Sequence, residues 1–254
     1  MIRTFLMLLF ILITLPVISR AQAEADGSSA DPGIRLTIEE GEHYRHRIPV
    51  FLFFSVKAPP QIAIWIEDME GNFMETLFVT QRTAQDNWRK APGDDTQKEK
   101  LRRPESLPRW IHRSTGTEAQ HWKGPLPDAD AVSSATPKSG FSIPASLPEE
   151  TTRFRVLAEV NASLDFNESY PKDAAKGSVG YSGGPWGSGQ PALVYAAEVD
   201  MSNPGTEQIE LETVGHSSPD GSTGKLCSDL SGITTAHEIV RGIYIKVHAS
   251  GETK

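Results

Sequence analysis

Apolar positions recur mostly at every second residue, which is the period of a half-buried strand. Ile34 to Glu40 alternates weakly, and Ile48 to Val56 is a dense β-branched and aromatic run. Such a continuous run predicts a strand buried on both faces. Gln61 to Glu67 alternates cleanly, with Ile62, Ile64 and Ile66 on one side and Ala63, Trp65 and Glu67 on the other. Asp68 to Asn72 then predicts a turn in which Gly71 takes positive φ, and Phe73 to Thr80 returns as the second arm of a hairpin. Further strands are predicted at Phe154 to Asn161, Ala192 to Asp200, Gln208 to Val214 and Gly242 to His248. The first of these places Phe154, Val156, Ala158 and Val160 on one face, and the last does the same for Ile243, Ile245 and Val247.

Between these runs the chain is irregular. Residues 82–140 are rich in charge, Pro and Gly and predict one long loop, which holds Trp88, Trp110 and Trp122. Residues 177–190 (GSVGYSGGPWGSGQ) predict a Gly-rich loop, and 215–224 a turn-rich one. Thr235 and Glu238 have the spacing of a capping box on a short helix. Many strands, short turns and no long amphipathic helix predict an all-β antiparallel sandwich of immunoglobulin-like type with long irregular insert loops. A small barrel or a β-rich α+β fold is the alternative. The domain is expected over 34–250, in one piece.

The N-terminus predicts export. Arg3, the apolar run Phe5 to Ile18 and the small-x-small site Ala21-Gln22-Ala23 have the three parts of a secretory signal over 1–23. Residues 24–33 then read as a flexible leader. The apolar run falls short of the roughly 20 apolar residues that a spanning helix needs, and no later segment is apolar enough to span a membrane. With 25 basic and 33 acidic residues the chain carries a net charge of −8. Loss of 1–23 would remove Arg3 and Arg20 and no acid. A nucleic-acid partner is not expected, because no basic face is visible. The chain's one cysteine, Cys227, can form no internal disulfide and is expected as a partly buried thiol.

Several patterns are weighed for chemistry. His43 and His46 fall on opposite faces of a strand, and no histidine has metal-ligand spacing, so no metal site is expected. Gly215-His216-Ser217-Ser218-Pro219 resembles a hydrolase nucleophile elbow, but Pro219 stands where close packing needs Gly, and a polar turn is expected. Glu67 and Asp68 read as a solvated strand end. Asn161 and Asn167 begin sugar-acceptor sequons that matter only in a eukaryotic secretory pathway. Trp110, Trp122 and Trp186 lie in predicted loops, and are candidates either for a stacking surface or for plugging the core. No catalytic residue is expected.

Asp130-Ala131-Val132-Ser133-Ser134-Ala135-Thr136 resembles the acceptor sequence of exported flavoproteins, in which a flavin transferase esterifies the final Thr hydroxyl with FMN. Asp130, Ser133, Ala135 and Thr136 match that pattern, while Ser134 replaces its Gly. The run Pro60 to Asp68 with Leu77 to Thr80, then Arg103 to Trp110, Asp130 to Pro137, Gly189 to Ala197 and Asp229 to Ala236, resembles a bacterial domain-of-unknown-function family of predicted periplasmic proteins. Members often neighbour flavin transferases and PepSY-type membrane proteins. The resemblance implies a periplasmic or secreted accessory of a flavin-linked redox system, with covalent FMN at Thr136 in its stronger form. A membrane redox protein or a flavin transferase is the implied partner. The alternative is an envelope binding module without cofactor, which docks a ligand or protein through 82–140 and 177–190.

Overall fold

The computed structural model describes residues 33–51, 54–88, 90, 94, 101–123, 133–134, 137–145, 147, 151–202 and 208–247. The expected signal at 1–23 and nearly all of the leader lie outside them. Strand β1 (Ile34–Glu40) buries Ile34, Leu36 and Ile38 and turns Arg35 and Glu39 outward. It pairs on one side with β12 (Val240–Val247) and on the other with β7 (Phe141–Ala145), and β10 (Ile209–Glu210) adds to β12. This four-stranded sheet, in order β10-β12-β1-β7, is antiparallel throughout.

The second sheet has six strands. Strand β4 (Gln61–Glu67) lies between β5 (Phe73–Thr80) and β8 (Arg153–Asn161). β9 (Leu193–Asp200) and β11 (Glu212–His216) extend one side, and β6 (Ser133–Ser134) adds a parallel pair to β5. One core joins the two sheets: Ile62, Ile64, Ile66, Phe154, Val156, Ala158 and Val160 face Ile34, Leu36, Ile38, Ile243 and Ile245. The chain is thus an all-β sandwich, as the alternation predicts. The predicted hairpin turn is present, with Gly71 at φ 85°. Asn72 donates to Asp68 from its amide and its side chain, both at 2.7 Å.

Four predictions need correction. Ile48 to Val56 is no doubly buried strand: it reverses between β2 (His46–Phe51) and β3 (Phe54–Ala58), a two-stranded ribbon outside both sheets, and Val56 is 52% exposed. Pro49 supplies the reason, since a residue without an N–H is excluded from a central strand. Gln208 to Val214 is two strands, because the chain changes sheet at Leu211, whose amide donates to the Ile243 carbonyl at 2.8 Å. Thr235–Glu238 is a 3-10 turn with no side-chain cap, and Thr235 Oγ1 donates instead to Asp165 at 2.7 Å.

The fourth correction matters most. The described parts of 82–140 do not form a displayed loop. They carry the single turn α1 (Gln81–Ala84), helix α2 (Pro108–Thr115) and β6. Leu107, Trp110, Ile111 and Ala119 cover the outer face of the six-stranded sheet and meet Ala63, Trp65, Val79, Leu157 and Val194. Hence every residue of β4 is buried, while β1 shows the one-sided pattern. Each large apolar side chain buried in this layer contributes about 1.5–3 kcal/mol.

Candidate functional site: a cleft at the sheet edge

Strand β11 is the last strand on its side of the six-stranded sheet. At its end the Ser217 amide still donates to the Ala192 carbonyl at 2.9 Å, and then the chain turns away. Asp220 holds the turn by accepting from the Ser218 hydroxyl at 2.7 Å and the Ser222 amide at 2.9 Å. Gly221, at φ 73°, lies where a Cβ would come within 2.5 Å of the Pro104 backbone. The chain returns so that His216 and Cys227 exchange both backbone hydrogen bonds, at 2.8 and 2.9 Å. Directly opposed residues of such a bridge project from the same side.

The turn, with Ser169, Tyr170 and Val179 on one flank and Asp229, Ser231 and Gly232 on another, encloses a cleft of about 410 Å³. Ligand pockets of roughly 300–1,000 Å³ are typical. Its wall combines Tyr170, Val179, Pro219 and Leu226 with several hydroxyls, the Lys225 ammonium and the Asp229 carboxylate. Val179, 96% exposed, and Leu226, 37% exposed, are two of the four exposed large hydrophobic residues among the described ones. Hydrogen bonds from the Ser231 amide and side chain hold the Asp229 carboxyl below the usual carboxylate range, and His216 adds to the effect.

Beneath the cleft a buried polar chain runs to the other face of the sheet. Ser217 is fully buried, and its hydroxyl donates to Glu159 of β8 in a short contact. The same carboxylate accepts the Arg109 amide at 3.2 Å and the Trp110 amide at 2.8 Å. Leu107 at the N-cap of α2 offers no side-chain cap, so Glu159 satisfies these orphan donors from the sheet. Burial pushes the Glu159 carboxyl up to about 7, against the pull of these donors and of Arg109. Farther along α2, Arg113 Nε pairs with Glu67 at 2.7 Å, and Glu67 also accepts the Trp65 indole at 2.9 Å. Glu67 is therefore a buried strut rather than a solvated strand end. Glu105 is buried as well. Its carboxyl is pushed up to about 7 by burial, and its Oε1 has no hydrogen-bond partner among the described residues.

No family model, no curated protein and no solved structure matches the chain. The site is therefore read from its own geometry.

The residues singled out from the sequence do not gather in one place. Asp130 and Thr136 of the expected flavin acceptor lie outside the described residues. Ser133 is opposite Val79 in the parallel pair β5–β6, at the sheet end remote in strand order from β11. Trp110 is 1% exposed and donates its indole N–H to Thr76 at 3.0 Å. It fills the core under α2 and forms no stacking surface. Trp122 packs partly buried against that same core. Trp186 stays in the Gly-rich loop with the Lys172 ammonium 5.1 Å from its ring centroid.

His43 and His46 are not on opposite faces, because His43 precedes β2 in a turn. Their rings stack at 6.1 Å, and His43 pairs with Glu238 at 3.0 Å. Among the described residues no group of three or more potential ligands can hold a metal. Ser217 is no exposed nucleophile, since its hydroxyl is committed to Glu159. Cys227 is an exposed free thiol, not a partly buried one. The sequence offered His216 and Cys227 separately, inside an elbow-like motif and as a lone thiol. Only the turn between them makes them neighbours.

Proposed function

We propose that this protein is a non-catalytic binding component of the cell envelope. Its cleft would hold a small molecule that carries both an ammonium and a carboxylate, an amino-acid-like ligand. One observation carries the reading: a large concavity among the described residues combines opposite charges, Lys225 and Asp229, with hydroxyls and an exposed apolar rim. The charges match the two ends of a zwitterion, and the rim of Val179 and Leu226 suits its apolar stem. Placement in the periplasm or outside the cell rests on the export pattern at 1–23. No described helix is long and apolar enough to cross a membrane. Titration of the full chain with cystathionine in a calorimeter tests the reading. Saturable one-to-one binding that weakens at least tenfold in L226D is expected. Absence of heat, or equal binding by L226D, overturns it.

A second reading follows from the pattern at 130–136. Here the protein serves an extracytoplasmic flavin-linked redox system, with FMN esterified to the Thr136 hydroxyl by a flavin transferase and a membrane redox protein as partner. Co-production with a flavin transferase tests it. A yellow protein heavier by one FMN less water, with the mass on the peptide containing Thr136, supports it, and an unmodified chain rejects it.

A further inference from the structure

We infer that Cys227 is the nucleophile of a thiol–disulfide exchange site, with His216 as its base, which captures one half of a small zwitterionic disulfide in the cleft. This rests on the reading of the cleft as an amino-acid-like site and deepens it. Three observations carry it.

The first is placement. Cys227 and His216 oppose each other across a backbone bridge and both line the cleft, so their side chains project toward the same concavity.

The second is the tautomer of His216. Its Nδ1 lies 2.7 Å from the Ser217 carbonyl oxygen. A carbonyl only accepts, so Nδ1 carries the proton and the neutral ring keeps its lone pair on Nε2. The residue is 5% exposed and lines the cleft, and Nε2 has no hydrogen-bond partner among the described residues. A basic nitrogen is thus held inside a site whose other reactive group is a thiol. Tyr170, Lys225, Cys227 and Asp229 are the titratable groups that share the cleft with it.

The third is the cysteine count. The chain has one cysteine, so no second thiol can resolve a mixed disulfide from within. The product of attack would stay until an outside thiol releases it.

The step balances. The Cys227 thiol gives its proton to His216 Nε2 and its sulfur attacks one sulfur of the disulfide. The old S–S bond breaks as a new one forms to Cys227. The departing sulfur leaves as a thiolate and takes the proton from His216. Cys227 is oxidised and the leaving half reduced, with the disulfide itself as oxidant.

Cystine is the probe, added to the full chain and followed by intact mass. One half-cystine per chain is expected, reversed by dithiothreitol and absent in C227S. Reaction with cystine should be at least about tenfold faster than with uncharged 2-hydroxyethyl disulfide, after each rate is divided by that of free cysteine. H216Q should slow the cystine reaction about tenfold or more at pH 7, a general-base-sized effect. It should slow it far less at pH 10, where hydroxide removes the thiol proton. Equal normalised rates for the two disulfides in the wild-type chain overturn the inference, whether or not H216Q folds. So does a folded H216Q that reacts at the wild-type rate at pH 7. Cystathionine has no disulfide, so its binding without cystine capture rejects this inference and leaves the cleft reading intact. Failure of both rejects the cleft.

Discussion

Two irregular stretches rest on the six-stranded sheet and end in opposite states. Residues 101–122 close over the outer face, bury Trp110 and Ile111 and pin α2 through Glu159 and Glu67. Residues 217–232 fold beside the edge strand and leave a cleft. Composition explains the difference. The cover carries large apolar groups at Leu107, Trp110, Ile111 and Trp122, spaced to meet a sheet. The cleft loop carries Ser, Thr, Gly and Pro, which hold a turn in shape and fill little space. The two are joined: the Arg109 guanidinium donates to the Gly224 carbonyl at 3.1 Å, and the Gln120 amide to the Gly221 carbonyl at 3.3 Å. The cover acts as the platform on which the cleft loop is set.

If the cover is structural and the cleft functional, substitutions in each should separate stability from binding. The largest effect is expected for Trp110→Ala, which empties the second core. It should lower unfolding free energy by about 3–5 kcal/mol in urea titration. Glu159→Ala comes next. It strands two helix amides and the Ser217 hydroxyl beneath the cleft, and should cost about 2–3 kcal/mol. Because it lies between the regions, it should also weaken cystathionine binding, which calorimetry on the folded fraction would show.

The two buried acids set a pH dependence of intermediate size. Glu105 and Glu159 bind their protons more tightly in the folded chain than the ordinary value of 4.5 allows, with both pushed up to about 7. Their stabilising contribution is full below pH about 4.5, falls as pH rises toward about 7 and is gone above it. Each should contribute on the order of 1–3 kcal/mol across that window. Urea midpoints at pH 5, 6 and 7.5 measure the slope, and Glu105→Gln should flatten it. The smallest stability effect is expected for Leu226→Ser at the rim, within about 0.5 kcal/mol of wild type. Binding should nevertheless weaken, and equal binding would remove the distinction between cover and cleft.

Much of the sandwich was legible in the chain because β1 and β12 face one core and keep a two-residue period. Less could be read from β4, whose alternation assigned Ile62, Ile64 and Ile66 correctly. Nothing in it showed that Trp65 needed a cover of its own. Helix α2 does carry a local signature, Pro108 at its first position and Gly116, at φ 67°, just past its end. Its Trp110 and Ile111 were hidden by flanking charge. Ile48 to Val56 misled because hydrophobicity alone cannot mark a reversal, although Pro49 argued against a central strand. The cleft was not legible at all. His216 and Cys227 come together only through a ten-residue excursion fixed by Asp220, Gly221 and contacts to the cover, and no local period encodes that pairing.

The most direct measurement is a map of amide chemical shifts in the isotope-labelled protein as cystathionine is added. Binding in the cleft predicts saturable changes at residues 169–170, 216–219 and 225–232, with residues 108–115 of the helix unmoved. Changes centred on the helix or on the loop around Trp186, or none at saturating ligand, would contradict a binding site at the sheet edge.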